Sequence, residues 1–377
     1  MPNYQCIIIG GGLGGLTLAI QLAKKGFQVA LFEKETYPYH KVCGEYIAME
    51  SWNYLESCGI PLSELNLPRL KKLKVSAPNG NFIEHQLNPG GFGISRFKLD
   101  HLLANEARKQ GVILVENCKV QQIINQEPTV YEVQTDLGNF TTPIVIGSYG
   151  KRSNLDIKLN RSFITNKATG LDNYIGIKYH VNANLPNDVI ELHNFKDGYC
   201  GISKIEDDRY CMCYLTTAKN LKLNHGNIKL MEENILHKNI FLQKYFTEFE
   251  SYYKEPLAIS QVNFSNKTQS ENGIIMLGDA AGLITPLCGN GMSMAMHASK
   301  ILSDLLPYFF ENEINNTQLI DKYTQSWKNQ FKTRLWIGRQ IQAVFGNPIL
   351  TNLLITTLKP MPFAVNKLVS LTHGKSY

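Results

Sequence analysis

The 377-residue chain has no apolar run near the roughly 18 residues that a bilayer-spanning helix needs. Its N-terminus lacks the basic flank that precedes an export signal's apolar core, so "CIIIG" reads as a buried strand and the cytoplasm as the default compartment. None of the eight cysteines (Cys6, Cys43, Cys58, Cys118, Cys200, Cys211, Cys213, Cys288) forms a C-x-x-C pair, and no His/Cys cluster has zinc spacing. Metal ribbons and dithiol redox motifs are thereby excluded, and free thiols are expected. Internal repeats and low-complexity linkers are absent. Residues 331–377 contain no Asp or Glu but carry Lys332, Arg334, Arg339, Lys359, Lys367 and Lys375. That stretch holds the whole net charge of +6, leaving residues 1–330 formally neutral. With no basic stripe elsewhere, nucleic acid is not an expected partner.

What is present begins with a short apolar strand at residues 4–9, followed by Gly10, Gly12 and Gly15 in G-x-G-x-x-G spacing. A helical pattern follows, with Leu16, Ala19, Ile20 and Ala23 on one face, and Gly26 ends it. A second strand, "QVALFEK", closes near Glu33, completing a dinucleotide-binding strand–turn–helix–strand unit. The first glycine permits the tight turn, the second lets a phosphate approach the backbone, and the third lets helix pack on strand. The helix N-terminus offers partial positive charge to a pyrophosphate. Glu33 is placed to accept hydrogen bonds from a ribose diol and to repel a 2′-phosphate, which favours FAD or NAD over NADP.

A second glycine-rich turn lies far downstream in "MLGDAAGLITPLCGNGMSMAM", Met276 to Met296. One pyrophosphate does not need two such turns, but a long flavin cofactor does. Asp279, after a strand, is expected to hold a ribityl hydroxyl. The loop from Pro286 through Gly289 and Asn290 to Gly291 would bring N–H groups against the ring. The helix from Met292 would aim its N-terminus at the flavin pyrimidine, where negative charge develops on reduction. The plainer alternative is a structural strand–loop–helix with an N-capping Asp.

"GGGLGGLTLAIQLAKKGFQVALFEK" and "GDAAGLITPLCGNGMSMAMHAS" resemble the two FAD fingerprints of the aromatic hydroxylases, geranylgeranyl reductases and flavin-dependent halogenases, which share one fold. The resemblance reaches to about residue 310. "SRFKLDHLLANEARKQGV" resembles the segment whose Arg approaches the cofactor, here Arg96, and "YHKVCGEYI" resembles the loop that reaches the FAD. By that resemblance Lys41 approaches the pyrophosphate and Cys43 lies near the flavin ring, with Gly44 beside it. The implied cofactor contacts also include Leu13, Gly14, Lys34 and Gly278. Hydroxylases of this family carry Asp-Gly where this chain has Tyr149-Gly150 in "VIGSYGKRSNLD". That departure leaves the electron donor open between NAD(P)H docked differently and a separate reductase. A W-x-W-x-I-P segment is absent, which weighs against a halogenase.

"KDGYCGISKIEDDRYCMCYL" (196–215) lies where the reductases have a strand facing the substrate, so Tyr199 and Cys200 are the substrate-side candidates. Tyr199 and Cys43 are the candidate catalytic groups. The bland alternatives are a buried tyrosine satisfied locally and a small apolar filler. His40, His180, His193 and His297 show no identifiable partner and read as core or solvated histidines.

The expected fold is α/β: a Rossmann-like FAD-binding domain (1–68, 92–165 and 262–310) interleaved with a β-sheet substrate domain (69–91 and 166–261). C-terminal helices (311–377) complete it. The tail reads either as an interfacial anchor on anionic lipid or as a helical cap packed on both domains, the cap being favoured. The expected activity is FAD-dependent oxidation or reduction of a lipophilic small molecule. Two chemistries compete: monooxygenation of an aromatic or polyketide-like substrate, and reduction of a C=C bond with Cys43 as a proton source. A halogenase and a non-catalytic escort of prenylated proteins are the remaining alternatives.

Overall fold

The computed structural model describes residues 4–127, 130–165, 173–285, 289–372, 374, 376 and 377. Among the described residues the first sheet comprises β1 (Cys6–Ile9), β2 (Val29–Phe32), β6 (Ile113–Val115), β10 (Val145–Gly147), β17 (Ser270–Glu271) and β18 (Ile274–Met276). Its spatial order is β17-β18-β10-β1-β2-β6, and every pair except β17–β18 is parallel. β1, β2, β10 and β18 are buried at every residue, as a parallel sheet covered on both faces requires. This order answers why two glycine turns lie so far apart in sequence. β1 and β18 run parallel with only β10 between them, so the turns after Ile9 and Met276 emerge at the same sheet edge. Two strand spacings separate them, about 10 Å.

The helices after the two turns, α1 (Leu13–Lys24) and α9 (Gly291–Phe310), pack on each other. A Cβ on Gly14 would lie 3.3 Å from the Ala295 carbonyl oxygen, so the absent side chain sets the close approach. Thr17 Oγ1 donates across the contact to Ser299 Oγ at 2.9 Å. α3 (Arg96–Lys109) flanks α1, and Ser95 caps it by accepting from the Lys98 N–H. α2 (Trp52–Ser57) precedes it in the chain.

The second sheet contains β3 (Tyr46–Ala48), β4 (Arg69–Ser76), β5 (Phe82–Gly93), β11 (Tyr174–Asn182), β12 (Val189–Phe195), β13 (Gly198–Lys204), β14 (Tyr210–Thr217), β15 (Glu250–Ser251) and β16 (Leu257–Val262). Its order is β15-β11-β14-β13-β12-β4-β5-β3, with β16 also on β11. Segment 1–68 therefore lends a strand, β3, to the sheet built mostly by the middle of the chain. On one face Phe195, Cys200, Ile202 and Tyr214 pack under α7 (Ile228–Ile235) and α8 (Ile240–Glu248), which follow α6 (Ala218–Leu223). On the other face Val75, Ile83, Leu192 and Leu215 meet Phe264, Leu283 and the C-terminal helices. A third sheet, β7 (Val120–Glu127), β8 (Val130–Thr135) and β9 (Gly138–Thr142), and two short helices, α4 (Asn154–Lys158) and α5 (Ser162–Thr165), complete the core.

α10 (Asn316–Val344) opens with a capping box between Asn315 and Gln318. Leu319, Tyr323, Trp327 and Phe331 on one of its faces join the main core. Asn347 caps α11 (Pro348–Leu358), with Pro348 at the first turn, where its missing N–H costs nothing. α12 (Pro362–Thr372) follows, and both helices lie over β5. No single helix among the described residues is long and apolar enough to cross a membrane.

Candidate active site

The first glycine turn has the geometry a phosphate needs. Gly10 sits at φ +102°, and a Cβ there would lie 2.5 Å from the Ser148 carbonyl oxygen. A Cβ on Gly15 would lie 2.2 Å from the Gly10 carbonyl oxygen, so helix and strand touch at that position. Gly12 differs, because a Cβ there would meet no protein atom within 4 Å. It faces an open cradle at the N-terminus of α1, where no side chain caps the helix and no acid sits in the first turn. Leu13 and Gly14 begin that helix and are buried.

Glu33 is buried, and its carboxylate is committed to the turn. Oε2 accepts from the Gly11 N–H at 2.8 Å and Oε1 from the Glu35 N–H at 3.1 Å. Each oxygen keeps a further lone pair, but its first task is to brace the glycine loop. Tyr37 reinforces that brace by donating to the Gly11 carbonyl. Lys34 points to the surface, paired with Glu35 at 3.6 Å.

Lys41 reaches the turn: Nζ lies 2.8 Å from Asp100 Oδ2 and 3.5 Å from the Gly11 carbonyl oxygen. Arg96 does not present a free guanidinium. Its Nε and one terminal nitrogen grip the two Asp100 oxygens at 2.7 and 2.8 Å, on successive turns of α3. Burial alone would raise the Asp100 pKa, but Arg96 and Lys41 outweigh it and hold the carboxyl below its ordinary value. Two cations on one carboxylate give the Arg96–Asp100–Lys41 cluster a net positive charge, which Glu33 on the Gly11 N–H offsets at the turn itself. Asp100 escaped the sequence reading, although its i,i+4 spacing from Arg96 was a usable signal.

At the second turn Gly278 has φ +62° and Gly289 φ +65°. Gly291 starts α9, whose first turn holds no acid and whose N-cap, Asn290, makes no side-chain cap bond. Pro286 lies outside the described residues, as do Leu287 and Cys288. Asp279 is half-buried, and Lys267 Nζ donates to its backbone carbonyl at 2.9 Å and to that of Lys151 at 3.2 Å. Burial pushes the Lys267 ammonium down to about 8, against the opposing pull of Asp279 and Asp156. Arg161, fully buried, ties Asp156 to the Ala280 carbonyl with two 2.9 Å bonds. Tyr149 donates to the same Asp156 at 3.1 Å. A neutral phenol thus occupies the place of the hydroxylases' aspartate, and the neighbouring Asp156 is spent on Arg161.

The loop carrying Cys43 bridges the two halves. Cys43 Sγ lies 3.6 Å from Met292 Sδ in the first turn of α9, and the loop's Gly44 has open space where a Cβ would stand. The Cys43 carbonyl accepts from Cys211 Sγ at 3.3 Å. Below it, buried Glu45 receives Lys178 Nζ at 2.5 Å and His180 Nε2 at 2.6 Å. Burial would raise the Glu45 pKa, but His180 and Lys178 hold it below the ordinary value. Lys178 also donates to the Lys41 carbonyl at 3.1 Å. Glu45, His180 and Cys211 present ligand-type atoms within 4.8 Å of one another, but the Lys178 ammonium already supplies the cation there.

A cavity of about 100 Å³ lies between the second sheet and the C-terminal helices. Leu73, Val75 and Leu192 form its floor, Phe345, Ile355, Val365 and Val369 its roof, and Gly289 and the Tyr46 ring another part of its wall. Among the described residues, every lining residue except Tyr46 is apolar or glycine. The Tyr46 hydroxyl is buried without a hydrogen-bond partner among the described residues.

Two sequence expectations need correction here. Cys200 does not face the cavity: it is fully buried on the opposite face of β13, among Phe195, Met231 and Tyr245. Successive strand residues face opposite sides, so Tyr199 and Cys200 could not both have met the substrate. Tyr199 shares the apolar cluster of Leu192 and Ile355 but does not line the cavity. The histidines also have partners: His193 meets Glu191 at 2.8 Å and Ser76 at 2.7 Å, and His40 meets Tyr253 at 3.0 Å. The seven described cysteines are free thiols.

A family model described as FAD binding domain matches residues 3–332. Conditioned medium factor receptor 1 of Dictyostelium discoideum is 24% identical over 355 residues, covering 87% of this chain and 68% of that protein. Digeranylgeranylglycerophospholipid reductase of Methanococcus vannielii is 23% identical over 347 residues, covering 87% of this chain and 83% of that protein. Among solved structures, a geranylgeranyl bacteriochlorophyll reductase-like protein from Thermoplasma acidophilum superposes with a TM-score of 0.79 at 18% identity, covering 100% of this chain and 97% of that one.

Proposed function

We propose, for a chain that belongs to the FAD binding domain family and is an FAD-dependent oxidoreductase, that it reduces a carbon–carbon double bond in an isoprenoid-like lipid chain. The observation that carries this reading is the apolar cavity whose wall includes Gly289 of the second glycine turn. The open cradle at Gly12, the uncapped N-termini of α1 and α9, and the positive Arg96–Asp100–Lys41 cluster fit a dinucleotide. In this reading Gly10 to Gly15 and Lys41 hold the pyrophosphate, Asp279 the ribityl chain, and Gly289 to Met292 the ring. Bound there in its reduced form, FAD would be the hydride source. Cys43 Sγ, beside Met292 at the ring site rather than in the cavity wall, would give its proton to the adjacent carbon and be left as a thiolate that solvent reprotonates, so the C=C bond would become a C–C single bond with two new C–H bonds. The apolar lining keeps water out and orients a hydrocarbon chain by shape alone.

The same lining argues against a phenolic or polyketide substrate. The Tyr46 hydroxyl is the one polar side-chain group in the described lining, so any hydroxyl beyond the one it could meet would be buried without a partner, at about 1–3 kcal/mol each. The reductase likeness of the Methanococcus vannielii protein points the same way. Product analysis tests the proposal: reduced protein is incubated with an unsaturated isoprenoid lipid, with and without oxygen. The expected product gains one hydride and one proton in both cases. A product that forms only in oxygen and contains a new oxygen atom would overturn it in favour of monooxygenation.

A further inference from the structure

α11 carries no charged side chain and is apolar on two opposite sides. Its inward side, Leu354, Ile355 and Leu358, roofs the cavity. Its outward side presents Ile349 at 79% exposure and Leu353 at 61%. α12 repeats the arrangement, with Val365, Leu368 and Val369 inward and Phe363 outward at 83%. Met361 between the helices and Trp336 near the end of α10 are also exposed. Asn352, Thr356 and Thr357 lie between the two apolar sides of α11, and the outward side, with Ile349 and Leu353 exposed, is in no core. Isolated exposed hydrophobes are ordinary, but a cluster of this kind marks an interaction surface.

Charge identifies the partner. Lys332, Lys359 and Lys367 are exposed, and residues 331–377 contain no Asp or Glu. Large apolar side chains flanked by cations and free of acids complement an anionic bilayer surface, where bases meet headgroups and apolar groups enter the acyl boundary. Geometry sets the mode. α10 meets α11 at 113° and buries Leu319, Tyr323, Trp327 and Phe331 in the main core, and no single helix among the described residues is long and apolar enough to span, so the surface left to meet a membrane is the outward side of α11 and α12.

The cavity gives the surface a purpose. An engineered cavity of roughly 150 Å³ holds one benzene, so about 100 Å³ cannot take an isoprenoid chain with the roof closed. We infer that the outward face of α11 and α12 docks on an anionic lipid bilayer, and that this roof is the entrance through which a lipid chain passes from the bilayer to the cavity. The entrance part rests on the lipid-reductase reading above, whereas the docking part does not.

The experiment floats the full-length FAD-loaded protein with vesicles of phosphatidylcholine alone or enriched in phosphatidylglycerol. Strong binding is expected only to the anionic vesicles, and it should weaken at ~1 M salt, where the screening length falls to about 3 Å. Ile349→Ser and Phe363→Ser should each lower partitioning about tenfold, and Lys359→Gln and Lys367→Gln about fivefold each. All four should keep FAD content, melting temperature and turnover of detergent-dispersed substrate. Ile355→Trp, on the inward side, should abolish turnover and leave flotation unchanged. Outward variants that float like the wild type would overturn the docking face. So would failure of the wild type to float, including the case where light scattering shows a dimer that Phe363→Ser separates. Intact flotation without isoprenoid turnover in any form would instead overturn the substrate reading and spare the docking surface.

Discussion

Replacing Gly12 with valine puts a branched side chain into the one part of the first turn that the protein leaves open. An added Cβ meets nothing within 4 Å, and the backbone there (φ −79°, ψ −178°) is extended and open to any residue. The cofactor-free protein should therefore keep its stability to within about 0.5 kcal/mol. FAD should not tolerate the change. If the side chain displaces the pyrophosphate from two backbone N–H groups, each worth about 1.5–3 kcal/mol to a charged acceptor, the loss is about 3–6 kcal/mol. That corresponds to a dissociation constant raised roughly a hundred- to ten-thousand-fold. Gly15→Ala is the opposite control. Its Cβ would stand 2.2 Å from the Gly10 carbonyl oxygen, so the strand–helix contact must give way and the cofactor-free protein itself should lose stability. The assay pairs urea unfolding of both cofactor-free variants with FAD titration followed by flavin fluorescence. A Gly12→Val protein that binds FAD within tenfold of the wild type would refute the cradle assignment. A Gly12→Val protein as destabilised as Gly15→Ala would refute the claim that the space is reserved for ligand.

Lys267 makes a pH prediction. Its folded-state value of about 8 lies below the ordinary 10.5, so between these pH values the unfolded chain holds a proton that the folded chain has released. Stability must rise with pH through that window, by about 3 kcal/mol in the limit, and Lys267→Met should remove the rise in urea-unfolding curves taken from pH 8 to 10.5. Cys43→Ser should slow C=C reduction about a hundredfold or more with FAD content unchanged, and a full-rate variant would assign the proton to another donor. Tyr46→Phe removes a buried hydroxyl that has no partner among the described residues, so it should stabilise the protein by about 1–3 kcal/mol, and a lower melting temperature would contradict this. Asp279→Ala should weaken FAD binding, and an unchanged affinity by the same fluorescence titration would end its ribityl role.

What the sequence made legible was local. The spacing of Gly10, Gly12 and Gly15 between an apolar strand and an amphipathic helix carries its own geometry, and Gly289 and Gly291 likewise mark the start of α9. The Arg96–Asp100 pair and the alternation that separates Tyr199 from Cys200 were also readable, since each follows from the period of a single element. The nonlocal features were not readable. Glu45 meets Lys178 and His180 across 133 and 135 residues, a meeting fixed only when the β3 loop packs against β11. The adjacency of the two glycine turns depends on parallel pairing of β1, β10 and β18, which no local signal encodes. The cavity needs α11 and α12 to fold back over β5, and no spacing within residues 345–369 reveals which of their two apolar sides faces inward.

The most direct test of the account is anaerobic stopped-flow reoxidation of the chemically reduced protein by an unsaturated isoprenoid lipid, beside a Leu192→Trp variant that fills the cavity. The account predicts that oxidised-flavin absorbance returns without oxygen, at a rate that saturates with lipid concentration, and that Leu192→Trp abolishes the return while still binding FAD. Reduced flavin that persists with lipid and reoxidises only when oxygen is admitted would contradict it.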